Sequence, residues 1–365
     1  MNNPFGLFKF FKQKVFPSYL AVDIGTTSIK VADIKQGKQS PEITNYGILE
    51  SSGYLARANQ ALQTSSLKLF DNEVVDLLKM VVAEMKTDTT EALASLPPFL
   101  AFMTVLDFPA MKPSELEKSL VFEAKQYIPQ PISEVALDWL KVGDYRDDKG
   151  FDHNQILLIS VPQEQIKKYQ KIFKAAGLHL KALEIENLGL ARIFGGVDPT
   201  PTAVVDIGSR STSITFLEKG QLKFFTQNDF GGSSLTQAIA VSLGINPLRA
   251  EELKKERGVI GTGPNYELST IMLPFLDAII NEVRKALYKY GGQFPKAANP
   301  ERIILSGGGA NLPGIEKYFE KELKLPIAIT APFAKFEYPL AVEPLIPELS
   351  PVMSVALGLA LREFT

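Results

Sequence analysis

Val22-Asp23-Ile24-Gly25-Thr26-Thr27-Ser28 is the stretch on which the fold turns, because it returns as Val205-Asp206-Ile207-Gly208-Ser209-Arg210-Ser211. Each copy follows an apolar, strand-like run, Tyr19-Leu20-Ala21 or Thr202-Ala203-Val204. Each continues into a second strand-like run, Ile29 to Ile34 or Thr212 to Leu217, and reaches a turn glycine, Gly37 or Gly220. Strand, tight polar turn, strand, turn predicts a β-hairpin, and its repetition predicts two lobes of common design.

The turn carries a specific chemistry. Gly25 and Gly208 let the backbone approach a ligand closely, since no Cβ intervenes. The residues that follow, Thr26 and Thr27 in one copy and Ser209 in the other, bring hydroxyls and consecutive N–H groups suited to phosphate oxygens. Asp23 and Asp206 close their strands where a carboxylate can hold Mg²⁺ through water, because Mg²⁺ keeps several waters and takes few carboxylates. One such turn is an ordinary hairpin. Two copies, each opening a lobe, predict a phosphate clamp.

A third element lies further along the chain. Arg302-Ile303-Ile304-Leu305-Ser306 reads as a buried strand, and Gly307-Gly308-Gly309-Ala310-Asn311-Leu312-Pro313-Gly314 turns into a helix from about Ile315. A glycine-rich strand-to-helix turn either packs tightly on its neighbours or admits a flat adenine or ribose against bare backbone. Its position after two phosphate hairpins favours the second reading for Gly307, Gly308, Gly309 and Asn311.

Composition narrows the classes. With 365 residues the chain is long enough for two cores. A net charge of -2 gives no electrostatic reason to expect nucleic acid. Two histidines and no cysteine exclude a Cys or Cys/His zinc site, a thiol nucleophile and disulfides, which fits a reducing cytoplasm. The longest uncharged run, Phe230 to Leu248, holds Gly, Ser, Thr, Gln, Asn and Pro, so no transmembrane helix is expected. Phe5 to Lys14 interleaves aromatics with lysines. It reads equally as an arm lying on an anionic membrane surface and as a terminus packed on the first lobe.

Taken together, these motifs resemble the actin-like ATPase superfamily, which includes actin, heat-shock chaperones, sugar kinases and FtsA. Within it the chain is similar to the PilM family, the cytoplasmic actin-like proteins of the type IV pilus machine. The likeness rests on the three turns, on Leu120 to Pro129, on Val135 to Trp139, on Ile156 to Pro162 and on Phe173 to Leu178. It implies an α/β, actin-like (ribonuclease-H-like) two-lobed fold with an inserted α+β subdomain of the FtsA/PilM type. Glu186 to Arg192 and Ser350 to Leu361 match its two connecting helices, and small residues in the second predict a close crossing. The implied map gives 1–106, 184–200 and 348–365 to the first lobe and 107–183 to the insert. The second lobe takes 201–243 and 299–347, with a helical subdomain at 244–298.

The resemblance also implies site roles and partners. Glu251 and Lys254, on one face of a helix over Pro247 to Lys255, match a Glu-x-x-Lys that relatives place near ribose and adenine. The bland alternative is a solvated charge pair. Gly231 and Gly232 precede a helix whose N-terminus faces phosphate, and Lys30 reaches either a phosphate oxygen or only the strand surface. Glu186 is the candidate to orient an attacking water, or else a helix cap. The implied ligands are ATP and Mg²⁺, with slow hydrolysis or none. The implied partners are pilus platform proteins, above all the N-terminal peptide of a PilN-like inner-membrane protein, together with self-association. A sugar-type kinase would need a further catalytic aspartate in a glycine-rich helix start, and none is found. An FtsA-like filament former would carry a linker and anchor after the second connecting helix, where this sequence reads Arg362-Glu363-Phe364-Thr365.

Overall fold

Alternating side chains along the first repeat decide how the chain layers. In the computed structural model, which describes residues 18–51, 71–194, 198–260, 266–294 and 297–364, β1 (Ser18–Ile24) turns into β2 (Ser28–Lys35). Leu20, Val22, Ile29 and Val31 enter one apolar cluster, whereas Tyr19, Ala21, Ala32 and Ile34 enter another on the opposite face. Strands apolar on both faces need cover on both. Helix α1 (Asp71–Met85) supplies one layer through Val74, Leu77, Leu78, Val81 and Met85, which share a helical face. The pair α4 (Glu186–Phe194) and α9 (Ile346–Ala360) supplies the other.

Strands β3 (Glu42–Glu50), β4 (Glu91–Leu96) and β8 (His179–Ile185) complete a sheet of order β3-β2-β1-β4-β8. The second repeat builds the same sheet from β9 (Thr202–Ile207), β10 (Thr212–Glu218), β11 (Gln221–Asn228), β12 (Arg302–Ser306) and β13 (Ile327–Ile329). Its order, β11-β10-β9-β12-β13, matches strand for strand, with an antiparallel hairpin and two parallel partners in each. The two lobes of common design expected from the repeat are therefore present. Helices α5 (Gly232–Leu243), α6 (Pro247–Arg257), α7 (Tyr266–Gln293) and α8 (Ile315–Leu323) cover the second sheet.

A third sheet, β5-β7-β6, is antiparallel throughout and is built from β5 (Phe102–Pro109), β6 (Val135–Arg146) and β7 (Asp152–Pro162). Helix α2 (Pro113–Tyr127) packs on it through Leu116, Leu120 and Ala124 against Phe108, Trp139 and Leu158. This sheet does not coincide with the expected insert at 107–183. It begins at Phe102, and the last two elements of that span belong elsewhere. Helix α3 (Gln163–Ala175) sends Tyr169, Ile172 and Phe173 into the cluster under β1 and α1, and β8 hydrogen-bonds in parallel to β4. An apolar helix face and a parallel strand read alike in sequence whichever sheet they complete, which is why the boundary was misplaced.

The two helices between the lobes cross closely, as their small residues predict. A Cβ on Gly358 would fall 2.2 Å from the Gly189 carbonyl oxygen, so backbone meets backbone there. Leu340–Phe364 is long and apolar enough to cross a membrane by length and composition, although the sequence reading expected no such helix. Of its most apolar window 61% is buried in this fold, and its side chains pack on both β1 and α4, so its hydropathy comes from serving as a core helix. The Phe5 to Lys14 segment lies outside the described residues.

Candidate functional site

Both repeated turns have the same backbone hydrogen bond. Gly25 N–H donates to the Ser28 carbonyl at 3.0 Å, and Gly208 N–H donates to the Ser211 carbonyl at 3.0 Å. Their supports differ. In the first, the Thr27 carbonyl accepts from Ser51 N–H at 2.8 Å and from Ser51 Oγ at 3.1 Å. In the second, the Gly208 carbonyl accepts from Gly232 N–H at 2.9 Å, and the Ser209 carbonyl accepts from Ser233 N–H at 2.8 Å and Ser233 Oγ at 2.7 Å. The first turn of α5 thus clamps the second loop. Gly231 stands behind that clamp and not in the cleft, since a Cβ there would lie 2.6 Å from the Ser209 carbonyl oxygen.

The two aspartates face one another across a cluster of charge. Asp23 accepts from Ser95 Oγ on β4 at 2.8 Å and pairs with Lys30 Nζ at 3.1 Å. The Lys30 ammonium would be pushed down by burial, but Asp23, with Glu186 and Asp206 beyond it, reverses this and holds it above its ordinary value. Asp206 is raised to about 6, chiefly by burial and further by Asp23, with the Ser306 hydroxyl and Lys30 pulling the other way. Its Oδ1 and Ser306 Oγ are buried and make no hydrogen bond of ordinary geometry within the described residues. Glu186, at the start of α4, is raised well above a usual carboxylate by burial, then by Asp23 and Asp206, against the pull of Lys30. The buried Tyr169 phenol is raised by burial, then by Glu186 and Asp23.

Asp23, Lys30, Glu186 and Asp206 line one cleft of about 990 Å³. Gly25, Thr26, Thr27 and Lys30 enter it from the first lobe, and Gly208, Ser209 and Gly232 from the second. The third turn also reaches it with Gly307, Gly308, Gly309 and Asn311. Two of those glycines are required by packing: at Gly307 (φ +78°) a Cβ would lie 2.5 Å from the Ile207 carbonyl oxygen, and at Gly309 one would lie 2.3 Å from Ile207 Cγ2. Gly308 alone of the three has open space where a Cβ would be. Glu251 and Lys254 lie on the wall and are no solvated pair. Lys254 Nζ donates to Glu251 at 2.7 Å, to Thr236 Oγ1 at 3.0 Å and to the Gly232 carbonyl at 3.1 Å, and Thr236 Oγ1 donates to Glu251. Burial pushes the Lys254 ammonium down, and Lys254 with Thr236 holds the Glu251 carboxylate below its ordinary range despite burial.

Several participants were not legible in the sequence. Ser95 is 72 residues from Asp23 and meets it because β4 runs parallel to β1. Asn187, fully buried next to Glu186, donates from Nδ2 to Thr215 Oγ1 at 2.7 Å and so ties α4 to the second hairpin. Phe99 and Arg210 meet across the cleft, the guanidinium 5.1 Å from the ring centroid. Only the pairing of β1 with β4 gives a signal for any of these, and only for Ser95.

The donor set decides what cation could be held. Among the described residues no group of three or more His, Cys, Asp or Glu side chains is placed to hold a metal ion. Both oxygens of Asp23 already have partners, and Asp206 Oδ1 has none. A Mg²⁺ ion that keeps most of its waters fits this arrangement, whereas a cation needing an all-protein cage does not.

Comparison with known proteins agrees with the fold. The PilM–PilN type IV pilus biogenesis complex superposes with a TM-score of 0.79 at 21% identity, covering 96% of this chain and 100% of that one. MreB5 of Spiroplasma citri bound to AMPPNP superposes with a TM-score of 0.55 at 14% identity, over 95% of this chain and 96% of that one. The cell division protein FtsA of Enterococcus hirae is 23% identical over 337 residues, 81% of this chain and 74% of that protein. Residues 21–364 match the family described as type IV pilus assembly protein PilM. The chain belongs to the PilM family of actin-like proteins of type IV pilus assembly.

Proposed function

We propose that this chain is a cytoplasmic, ATP-binding scaffold at the inner face of the membrane, where it binds the N-terminal peptide of a PilN-like platform protein. The observation that carries the nucleotide half is the meeting of both loops, both aspartates and Lys30 in one cleft that extends to the Gly307–Asn311 turn. In this reading Thr26, Thr27, Gly208 and Ser209 offer N–H and hydroxyl donors to the phosphates. Gly308, Asn311, Glu251 and Lys254 form the adenosine side. Asp23 and Asp206 hold hydrated Mg²⁺, which neutralises phosphate charge when bound. The MreB5 neighbour carries a nucleotide analogue, which supports the assignment.

Hydrolysis in this reading is slow or absent. Glu186 is the group nearest in character to a water-orienting base, and burial, with Asp23 and Asp206 nearby, disfavours its charged form. A carboxyl biased toward its neutral form is a weaker acceptor for a water proton. ATP then acts by closing the two lobes on each other rather than by turnover. The PilN-like partner is supported by the complex to which this fold is similar and by three exposed aromatics on or beside the third sheet, Phe122 at 66%, Tyr127 at 48% and Phe151 at 65%.

The test is a titration with N-terminal peptides of the platform membrane proteins, with and without Mg²⁺-ATP. Saturable binding of one peptide, weakened by Phe122→Ala or Phe151→Ala in a folded protein and altered by nucleotide, is expected. Absence of peptide binding, with ATP consumption stimulated by a small hydroxyl compound, would overturn the scaffold in favour of a kinase.

A further inference from the structure

Four cations line the cleft among the described residues: Lys30, Arg210, Lys254 and Lys255. Three of them have carboxylate partners. Lys30 is paired with Asp23, Lys254 with Glu251, and Lys255 with Glu50 and Glu251. Arg210 has no ion pair or hydrogen bond among the described residues, and its guanidinium rests on the face of Phe99. Phe99 belongs to the first lobe, in the short turn Pro98–Leu100 directly after β4, and Arg210 to the second-lobe loop. The contact therefore spans the cleft mouth between the two lobes.

Its place in the repeat adds a second argument. Aligning Gly25 with Gly208 puts Thr27 opposite Arg210, so the otherwise equivalent loops differ by one uncommitted cation. Carboxylates outnumber cations on the cleft walls, and Lys30, Lys254 and Lys255 each already sit against one or more of them. With the lysines so engaged, Arg210 is the cleft cation that no carboxylate among the described residues holds back from a polyphosphate. An arginine resting on an aromatic ring keeps its planar fork of donors intact, and a phosphate oxygen offers those donors a stronger, charge-assisted bond than the ring face does.

We propose that Arg210 reads the terminal phosphate of a bound nucleoside triphosphate and gives the cleft its preference for triphosphate over diphosphate. This rests on the nucleotide reading above. The adenosine side is formed by the Gly307–Asn311 turn, Glu251 and Lys254, all in the second lobe, so the phosphate chain runs away from them toward the facing loops. The terminal group is the one that reaches the interlobe contact. Phe99 stores the guanidinium at the mouth while the cleft is open, and transfer of Arg210 from ring to phosphate couples the triphosphate to lobe position.

The test is calorimetric titration of the full chain with Mg²⁺-AMPPNP and Mg²⁺-ADP, for the unaltered protein and for Arg210→Gln, Arg210→Lys and Phe99→Leu. Arg210→Gln is expected to weaken AMPPNP binding by about tenfold or more while changing ADP binding by less than about twofold. Arg210→Lys, which keeps the charge without the fork, should recover only part of the discrimination. Phe99→Leu should retain it, because the ring only stores the side chain. Thermal melting of each variant separates a lost fold from a lost contact. If Arg210→Gln and Arg210→Lys leave the AMPPNP-to-ADP ratio unchanged, or weaken both ligands equally, the assignment of Arg210 is wrong and the nucleotide site stands. If the unaltered protein binds neither ligand, the nucleotide reading fails, and this inference with it.

Discussion

Around Gly25 and around Gly208 the backbone makes the same turn, yet the aspartates that precede the two turns live under different conditions. Asp23 is fully engaged, with Ser95 on one oxygen and Lys30 on the other. Asp206 occupies the equivalent strand position beside Ser306 on the equivalent parallel strand, but keeps a buried oxygen without a partner and a pKa raised to about 6. The supports differ as well: Ser51, just after β3, holds the first loop through its N–H and hydroxyl, whereas Gly232 and Ser233 in the first turn of α5 hold the second. A duplicated scaffold has thus been kept in its hydrogen-bonded frame and varied in its charges. An asymmetric ligand such as a nucleotide asks for that, since one lobe must take the base while both meet the phosphates.

The comparison can be broken most forcefully at Asp23. Asp23→Asn leaves the Lys30 ammonium in the cleft without its ion-pair partner. A loss of about 3 kcal/mol is expected in urea unfolding, in line with the removal of one partner from a buried pair. No loss would mean that Lys30 is solvated and the contrast with Asp206 is empty. Next in size is Gly231→Ala, whose Cβ would press on the Gly208 and Ser209 carbonyl oxygens at 2.7 and 2.6 Å. Overpacking against backbone should cost about 2 kcal/mol and distort the second loop alone. Hydrogen exchange at the amides of Gly232 and Ser233 would report it.

Asp206→Asn sharpens the contrast by reversing its sign. A carboxyl whose folded pKa lies near 6, above its ordinary 3.8, contributes stability that is fully present below about 3.8 and is lost as pH rises through about 6. Asparagine at this position removes that loss. Discounted for the partial exposure of the residue, the variant should be about 1 kcal/mol more stable than the unaltered protein at pH 7, with the advantage vanishing toward pH 4. Glu186 is raised in part by Asp206 itself, so the variant also relieves Glu186, and the difference curve reports the coupled pair. Urea midpoints between pH 4 and pH 8 would measure it, and a variant less stable at pH 7 would contradict the assignment. The smallest effect belongs to Ser51→Ala, which removes the 3.1 Å bond from Ser51 Oγ but leaves the backbone bond at 2.8 Å. About 0.5 kcal/mol is expected in the same assay.

What was legible in the sequence was local or repeated. A glycine turn between two apolar runs prescribes a hairpin, and finding it twice prescribed two sheets of one design before any contact was known. Gly189 and Gly358 could be anticipated as a crossing because small residues on a helix serve close approach. The edges of the inserted sheet could not be read, since β8 looks the same whether it pairs with β4 or with β7. Nor could Ser95, Asn187 or Phe99 be singled out as site neighbours, because each gains its role from a strand or helix brought to it by the fold. The glycines show the limit most plainly: Gly231, Gly307 and Gly309 were marked for a ligand, and all three are demanded by backbone or side-chain packing on the second loop and on Ile207.

The central claim is that two loops with one backbone frame and differently partnered aspartates form one Mg²⁺-nucleotide site. Calorimetric titration of Mg²⁺-AMPPNP into the unaltered protein, Asp23→Asn and Asp206→Asn tests it most directly. Saturable, Mg²⁺-dependent binding that both substitutions weaken by about tenfold or more, although one destabilises the protein and the other stabilises it, is the predicted result. Undiminished binding in Asp206→Asn would contradict the claim, since it would leave the second loop a copy of the first in shape alone.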